Sequence, residues 1–138
     1  MDPQERARIG IGVIVRHDGK VLVGLRKSKH GAGTYCFAGG HPEVGETVFD
    51  CAKRETREET GLEIKSLRAG PYTEDFFPDK HYITLFVIAD SEGGEAELRE
   101  PEKCVSWEWR DWNDLPEPLF LPITNLLKQG FDPFAPVI

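Results

Sequence analysis

The stretch GGHPEVGETVFDCAKRETREETGLEI, Gly39 to Ile64, decides the fold. Thr47 is suited to cap a helix, with Asp50 three residues on, and Gly61 suits the left-handed residue that follows a last helical turn. These signals predict a helix from about Thr47 to Thr60. Within it Val48, Ala52, Glu55 and Glu59 recur at i, i+4, i+7 and i+11, so two carboxylates continue an otherwise buried stripe. Glu58 lies three residues from Glu55 and beside Glu59, which gathers three like charges on the last two turns. The helix macrodipole is already negative there and costs an exposed anion ~0.3–1 kcal/mol.

Two explanations compete. A solvated acidic face balanced by Arg54 and Arg57 would need no ligand. Alternatively, a hard cation such as Mg²⁺ or Mn²⁺ would turn the repulsion into coordination, and Mg²⁺ sites are commonly completed by substrate phosphates. The Gly39-Gly40 pair, read as a loop, would let backbone groups approach a metal or phosphate closely.

Working outward, Ile9 to Val15 and Val21 to Leu25 read as a β-hairpin turning at His17-Asp18-Gly19-Lys20, and Tyr35-Cys36-Phe37 as a stub of strand. After the helix, Ile64 to Phe77, His81 to Ala89 and Cys104 to Trp109 read as strands, with Ser91 to Lys103 as a polar loop. Trp107 and Trp109 share one face, assigned to core or dimer packing. Ile123 to Lys128 predicts a terminal helix stopped by Gly130.

At 138 residues the chain has the size of one domain, taken as residues 1–138. A net charge of −7 without a Lys/Arg stripe argues against duplex nucleic acid or a membrane surface as partner. The start, MDPQERARIG, has neither an apolar leader nor transit-peptide character, which predicts a cytoplasmic protein. Cys36, Cys51 and Cys104 lack metal-ligand spacing and read as buried thiols.

Gly40, then Glu46 after five residues, then RETREETGL (Arg54 to Leu62) after seven more, resembles the Nudix box of the Nudix hydrolase (MutT-like) family. The resemblance runs on through Arg26, GAGTYCFAGGH, HYITLFV, EPEKCVSWEW, DLPEPLFLP and QGFDPF. These segments look like the subfamily of human MutT-homologue nucleotide pyrophosphatases and plant cytosolic Nudix enzymes. Three positions depart from the pattern: Thr56, where the box has an aliphatic residue, Ala38, where the subfamily has proline, and Leu121, where plant members carry tryptophan.

The resemblance implies an α/β fold, an α/β/α sandwich around a mixed β-sheet with the box as a loop-helix-loop. It implies Glu55, Glu58 and Glu59 and the Gly40 carbonyl as ligands of Mg²⁺, with Mn²⁺ as a substitute, and Arg54 pairing Glu46 or a box glutamate. Glu58 is the nearest candidate base, with Glu100 or Glu102 as carboxylates from outside the box. Arg26, Gly39, His41, Thr84, Phe120 and Leu121 are implied to line the substrate pocket. The activity expected is Mg²⁺-dependent hydrolysis of a nucleoside triphosphate, a damaged or noncanonical purine deoxynucleotide, to monophosphate and pyrophosphate by a homodimer. Isoprenoid diphosphates, nucleotide sugars and a noncatalytic nucleotide sensor are the alternatives.

Overall fold

The computed structural model describes residues 6–136. Met1 to Glu5, part of the segment read above for a leader, and Val137 and Ile138 lie outside the described residues. The strands are β1 (Arg8–His17), β2 (Lys20–Arg26), β3 (Tyr35–Cys36), β4 (Ala38–Gly40), β5 (Ile64–Phe76), β6 (His81–Ser91) and β7 (Cys104–Arg110). The helices are α1 (Val48–Thr60) and α2 (Leu121–Lys128), preceded by a 3₁₀ turn at Trp112–Asp114.

The sheet runs β3-β2-β1-β6-β5, with β4 added to β1 and β7 to β2. It is mixed: β1 and β6 are parallel from Arg8↔Tyr82 to Arg16↔Asp90, and the other pairs are antiparallel. Alternation along β1 sends Ile11, Val13 and Val15 into one core with Cys51 and Ala52 of α1, while Ile14 joins Ile123 and Leu126 of α2 on the other face. This is the α/β/α sandwich. Among the described residues no helix is long and apolar enough to cross a membrane.

The hairpin parts early. β1 and β2 pair only at Arg16↔Val21 and His17↔Lys20, after which β4 takes over the β1 edge through Ile11↔Gly40, Gly12↔Gly39 and Val13↔Ala38. The Gly39-Gly40 segment is therefore strand, not the loop expected from its composition. Its glycines are explained by crowding: a Cβ on Gly39 would collide with the Ile11 carbonyl, and one on Gly40 with the Glu55 carboxyl.

The caps of α1 are those the sequence indicates. Thr47 Oγ1 accepts from the Asp50 N–H at 3.1 Å, and Gly61, at φ 76°, donates its N–H to the Arg57 carbonyl at 2.9 Å. The second helix begins at Leu121, two residues before the expected Ile123, because Pro122 fits a first turn that needs no N–H. Trp107 and Trp109 pack on the α1-side core. Phe131 packs on Trp112, and Arg16 lies over the Phe134 ring, so the tail folds back on its own chain. All three cysteines are buried and unpaired with one another.

Thr56 is completely buried in α1, and among the described residues its hydroxyl has no hydrogen-bond partner. A desolvated, unsatisfied hydroxyl is a liability that an aliphatic residue of the same shape lacks. Thr56→Val is therefore expected to raise unfolding stability by ~1 kcal/mol in urea denaturation. Equal or lower stability would contradict this reading of the position.

Candidate active site

A cleft of about 370 Å³ opens where β2 parts from β1. Its lining includes residues from both cores, Trp107 on the α1 side and Phe86 and Ile123 on the α2 side, so it passes across the sheet. One end carries Glu55 and Glu59 of α1, and the rest is largely aromatic and aliphatic.

Arg54 organises the carboxylate end. Its guanidinium holds Glu46 in a two-pronged pair, Nε to Oε2 at 2.7 Å and Nη2 to Oε1 at 2.9 Å, and donates through Nη1 to Glu55 Oε1 at 2.8 Å. It also reaches Glu58 Oε2 at 3.4 Å and the His41 carbonyl at 3.2 Å. One rigid fork thus ties the loop before α1 to the helix, a task for which a lysine ammonium lacks the geometry. The pairing keeps the Glu46 carboxyl at about 2, well below its ordinary range.

Glu59 is the opposite case. Its Oε1 accepts the Gly39 N–H at 2.9 Å, but burial outweighs that bond and, with repulsion from Glu55 and Glu100, pushes the carboxyl up to about 8. Burial also raises Glu55, against the pull of Arg54. The loop after β6 contributes here by docking on the end of α1, with Glu97 N–H on the Thr60 carbonyl at 2.8 Å and Arg99 N–H on that of Glu59 at 3.2 Å. It thereby carries Glu100 and Lys103, paired at 3.4 Å, to the carboxylates.

The expected ligands are placed unequally. Glu55 and Glu59 line the cleft beside Gly40, whereas Glu58 is 51% exposed and does not line it. No three His, Cys, Asp or Glu side chains among the described residues converge on one point, since Arg54 draws Glu55 and Glu58 toward itself. The donor set nevertheless fits a hard divalent cation: oxygen ligands one turn apart, both raised by burial, Glu59 also by repulsion from Glu55, a penalty that a positive ion would relieve.

Of the expected pocket residues, Arg26, Gly39, His41, Thr84 and Phe120 line the cleft. Leu121 opens α2 and does not line it, and Glu46 lies outside it behind Arg54. Sequence reading missed an aromatic group. The His30 ring lies 4.4 Å from Phe77, 5.6 Å from Tyr82 and 5.4 Å from Phe120, and Arg26 sits 4.3 Å over Phe120 while donating to the His30 carbonyl at 2.8 Å. Burial and then Arg26 lower the His30 pKa. His41 Nε2 shares a 2.8 Å hydrogen bond with the Tyr82 hydroxyl. These residues come from four separate segments, and no local pattern announces their meeting.

Because Glu59 is raised in the folded chain, the folded state binds more protons than the unfolded one between about 4.5 and about 8. That contribution is complete below pH 4.5 and is lost as pH rises through about 8. In chelator, thermal melts are expected to show stability falling over this window in the parent and a flatter profile in Glu59→Gln. Parallel profiles would contradict the assignment.

Comparison with known proteins agrees with this geometry. The chain matches the NUDIX domain family over residues 6–129. It is 35% identical over 114 residues to an ADP-ribose pyrophosphatase of Methanocaldococcus jannaschii, covering 81% of this chain and 66% of the relative. It is 36% identical over 124 residues to the NAD-capped RNA hydrolase NudC of Chromobacterium violaceum, covering 87% of this chain and 44% of the relative. The chain thus spans less than two thirds of the length of these curated relatives. Among solved structures, a MutT NUDIX hydrolase from Burkholderia pseudomallei superposes with a TM-score of 0.78 at 27% identity, over 83% of this chain and 91% of that one. With the box, the sandwich and this family match in agreement, the chain belongs to the Nudix hydrolase family.

Proposed function

We propose that the chain, acting as a single Nudix domain, is a Mg²⁺- or Mn²⁺-dependent pyrophosphohydrolase. Its substrate in this reading is a nucleoside diphosphate linked to a second group, of the ADP-ribose class. Water attacks one phosphorus of the diphosphate and the bridging P–O bond breaks, giving AMP and ribose 5-phosphate from ADP-ribose. The observation that carries the reading is the cleft itself, with half-buried carboxylates at one end and an apolar, aromatic-lined slot at the other. The relation to an ADP-ribose pyrophosphatase supports the substrate class.

Glu55, Glu59 and the Gly40 carbonyl would hold the cation, with the exposed Glu58 as a further ligand. When bound, the cation activates water and offsets charge on the phosphate oxygens. Arg54 fixes Glu55 in place and braces the loop through Glu46, so both act by positioning. Arg26 and Lys103 are the cleft-lining cations outside the Arg54 cluster, suited to a diphosphate's remaining charge. Glu100 is the candidate base from outside the box: its charge raises Glu59, and among the described residues its Oε1 is buried without a partner.

A second reading, hydrolysis of a purine nucleoside triphosphate to monophosphate and pyrophosphate, draws on the likeness of Arg26, HYITLFV and DLPEPLFLP to the MutT-homologue enzymes. For assembly we propose a homodimer, supported by the exposed Tyr72 and Phe76 on the edge strand β5.

The test is product release from ADP-ribose, NAD, nucleotide sugars, isoprenoid diphosphates and ordinary and oxidised purine triphosphates with Mg²⁺ or Mn²⁺. ADP-ribose is expected to be turned over, and Glu59→Gln to lower kcat by about two to three decades, several kcal/mol of charge stabilisation. Turnover of triphosphates alone would establish the second reading, and tight nucleotide binding without turnover would overturn both.

A further inference from the structure

Asp75 is completely buried on β5, yet among the described residues no Lys, Arg or His lies within ion-pairing distance of it. Neutral donors surround it instead. Oδ2 accepts from the Thr84 hydroxyl at 2.6 Å and the Thr73 hydroxyl at 3.2 Å, and Oδ1 accepts from Asn125 Nδ2 of α2 at 2.9 Å. A buried carboxylate is a costly way to join a strand to a helix, since a neutral side chain could make such links. What a carboxylate adds is polarity: ionised, it only accepts.

Thr84 stands between Asp75 and the cleft. A hydroxyl has one proton, and that of Thr84 is committed to Asp75 in a bond of charge-assisted length. Its lone pairs remain for a ligand.

A second observation concerns room. Gly10 and Gly12 of β1 pair with Thr84 and Phe86 of β6 and line the cleft with them. Neither glycine has a positive φ, so the backbone does not require them. Space does so at Gly12, where a Cβ would lie 2.9 Å from the Phe86 ring and 3.6 Å from Thr84 Cγ2; a Cβ on Gly10 would make ordinary contacts, 3.4 Å from the Tyr82 ring and 3.8 Å from Thr84 Oγ1. Two glycines in a buried strand weaken it, and here they keep open the surface beside Thr84. Thr84 and Gly39 flank β1 on opposite sides with their partners two residues apart, so their backbones are about 12 Å apart by strand spacing and rise. That is on the scale of a nucleotide lying from base to phosphate.

We infer that Asp75 is a positioning residue that fixes Thr84 as a hydrogen-bond acceptor, so that the apolar end of the cleft selects a purine bearing an exocyclic amine. The inference rests on the proposed nucleotide chemistry and deepens it. Asn125 and Thr73 hold the carboxylate, Asp75 orients the hydroxyl, and Thr84 reads the ring.

The test is calorimetric binding of adenosine 5′-monophosphate and of purine riboside 5′-monophosphate, which lacks only the amine, beside hydrolysis of ADP-ribose and thermal melts of every variant. The parent is expected to prefer the amine by about 5- to 10-fold, the worth of one neutral hydrogen bond. Thr84→Val should bring the ratio to about 1, while Thr84→Ser, which keeps the hydroxyl, should preserve it. Asp75→Asn should lose or reverse the preference, because an amide nitrogen facing Thr84 would return its proton to the cleft. If Asp75→Asn does not fold, the Thr84 pair decides. A purely structural role would lower melting temperature or affinity for both ligands with the ratio unchanged, and that result, or parent binding to neither ligand, overturns the inference. A parent that shows the preference but hydrolyses nothing sinks only the proposed function, and one that hydrolyses ADP-ribose with the ratio unmoved by Thr84→Val sinks only this inference.

Discussion

The rest of the site depends on a carboxylate kept out of water. Glu59 is half-buried near the C-terminal end of α1, where the dipole is unfavourable, and it is anchored by one backbone N–H from a strand that exists only because the β1–β2 hairpin parts. Burial and neighbouring acids raise it to about 8, a penalty that the cation of the proposed function would relieve. The crowding of acids that looks like an error in α1 is thus a concentration of unrelieved negative charge beside a cleft. Arg54 relieves part of it, on Glu46 and Glu55, and leaves Glu59 without a cationic hydrogen-bond partner.

The two ends of the cleft are built by different means. At the carboxylate end one helix supplies the acids and one arginine fixes them, so the arrangement is local and robust. At the far end glycines on β1, aromatic rings from several segments and Thr84, which Asp75 holds from behind, define the slot.

That division also explains what could be read in the sequence. The helix, its Thr47 cap, its Gly61 stop and the inward stripe were legible because each is a local pattern with a local physical cause. The hairpin and the long strands were legible from alternation. β4 was not, since Gly39-Gly40 has the composition of a loop and becomes strand only because β1 offers it an open edge. Leu121 was placed in the pocket by resemblance, and the early start of α2 at that residue leaves it off the cleft wall. The His30 cluster and the Asp75–Asn125 contact, fifty residues apart in sequence, depend on the finished fold. Thr56 was visible as a departure from the box, but its cost became clear only from the burial of its unpartnered hydroxyl.

In the proposed function Glu59, raised to about 8 by burial, gives up its proton when a divalent cation binds. Titration calorimetry with Mn²⁺ at pH 7, repeated in buffers of different ionisation enthalpy, counts that proton directly. About one proton released per cation by the parent, and none by Glu59→Gln, is the predicted result. Cation binding without proton release, or equal release and affinity in the variant, would contradict the account.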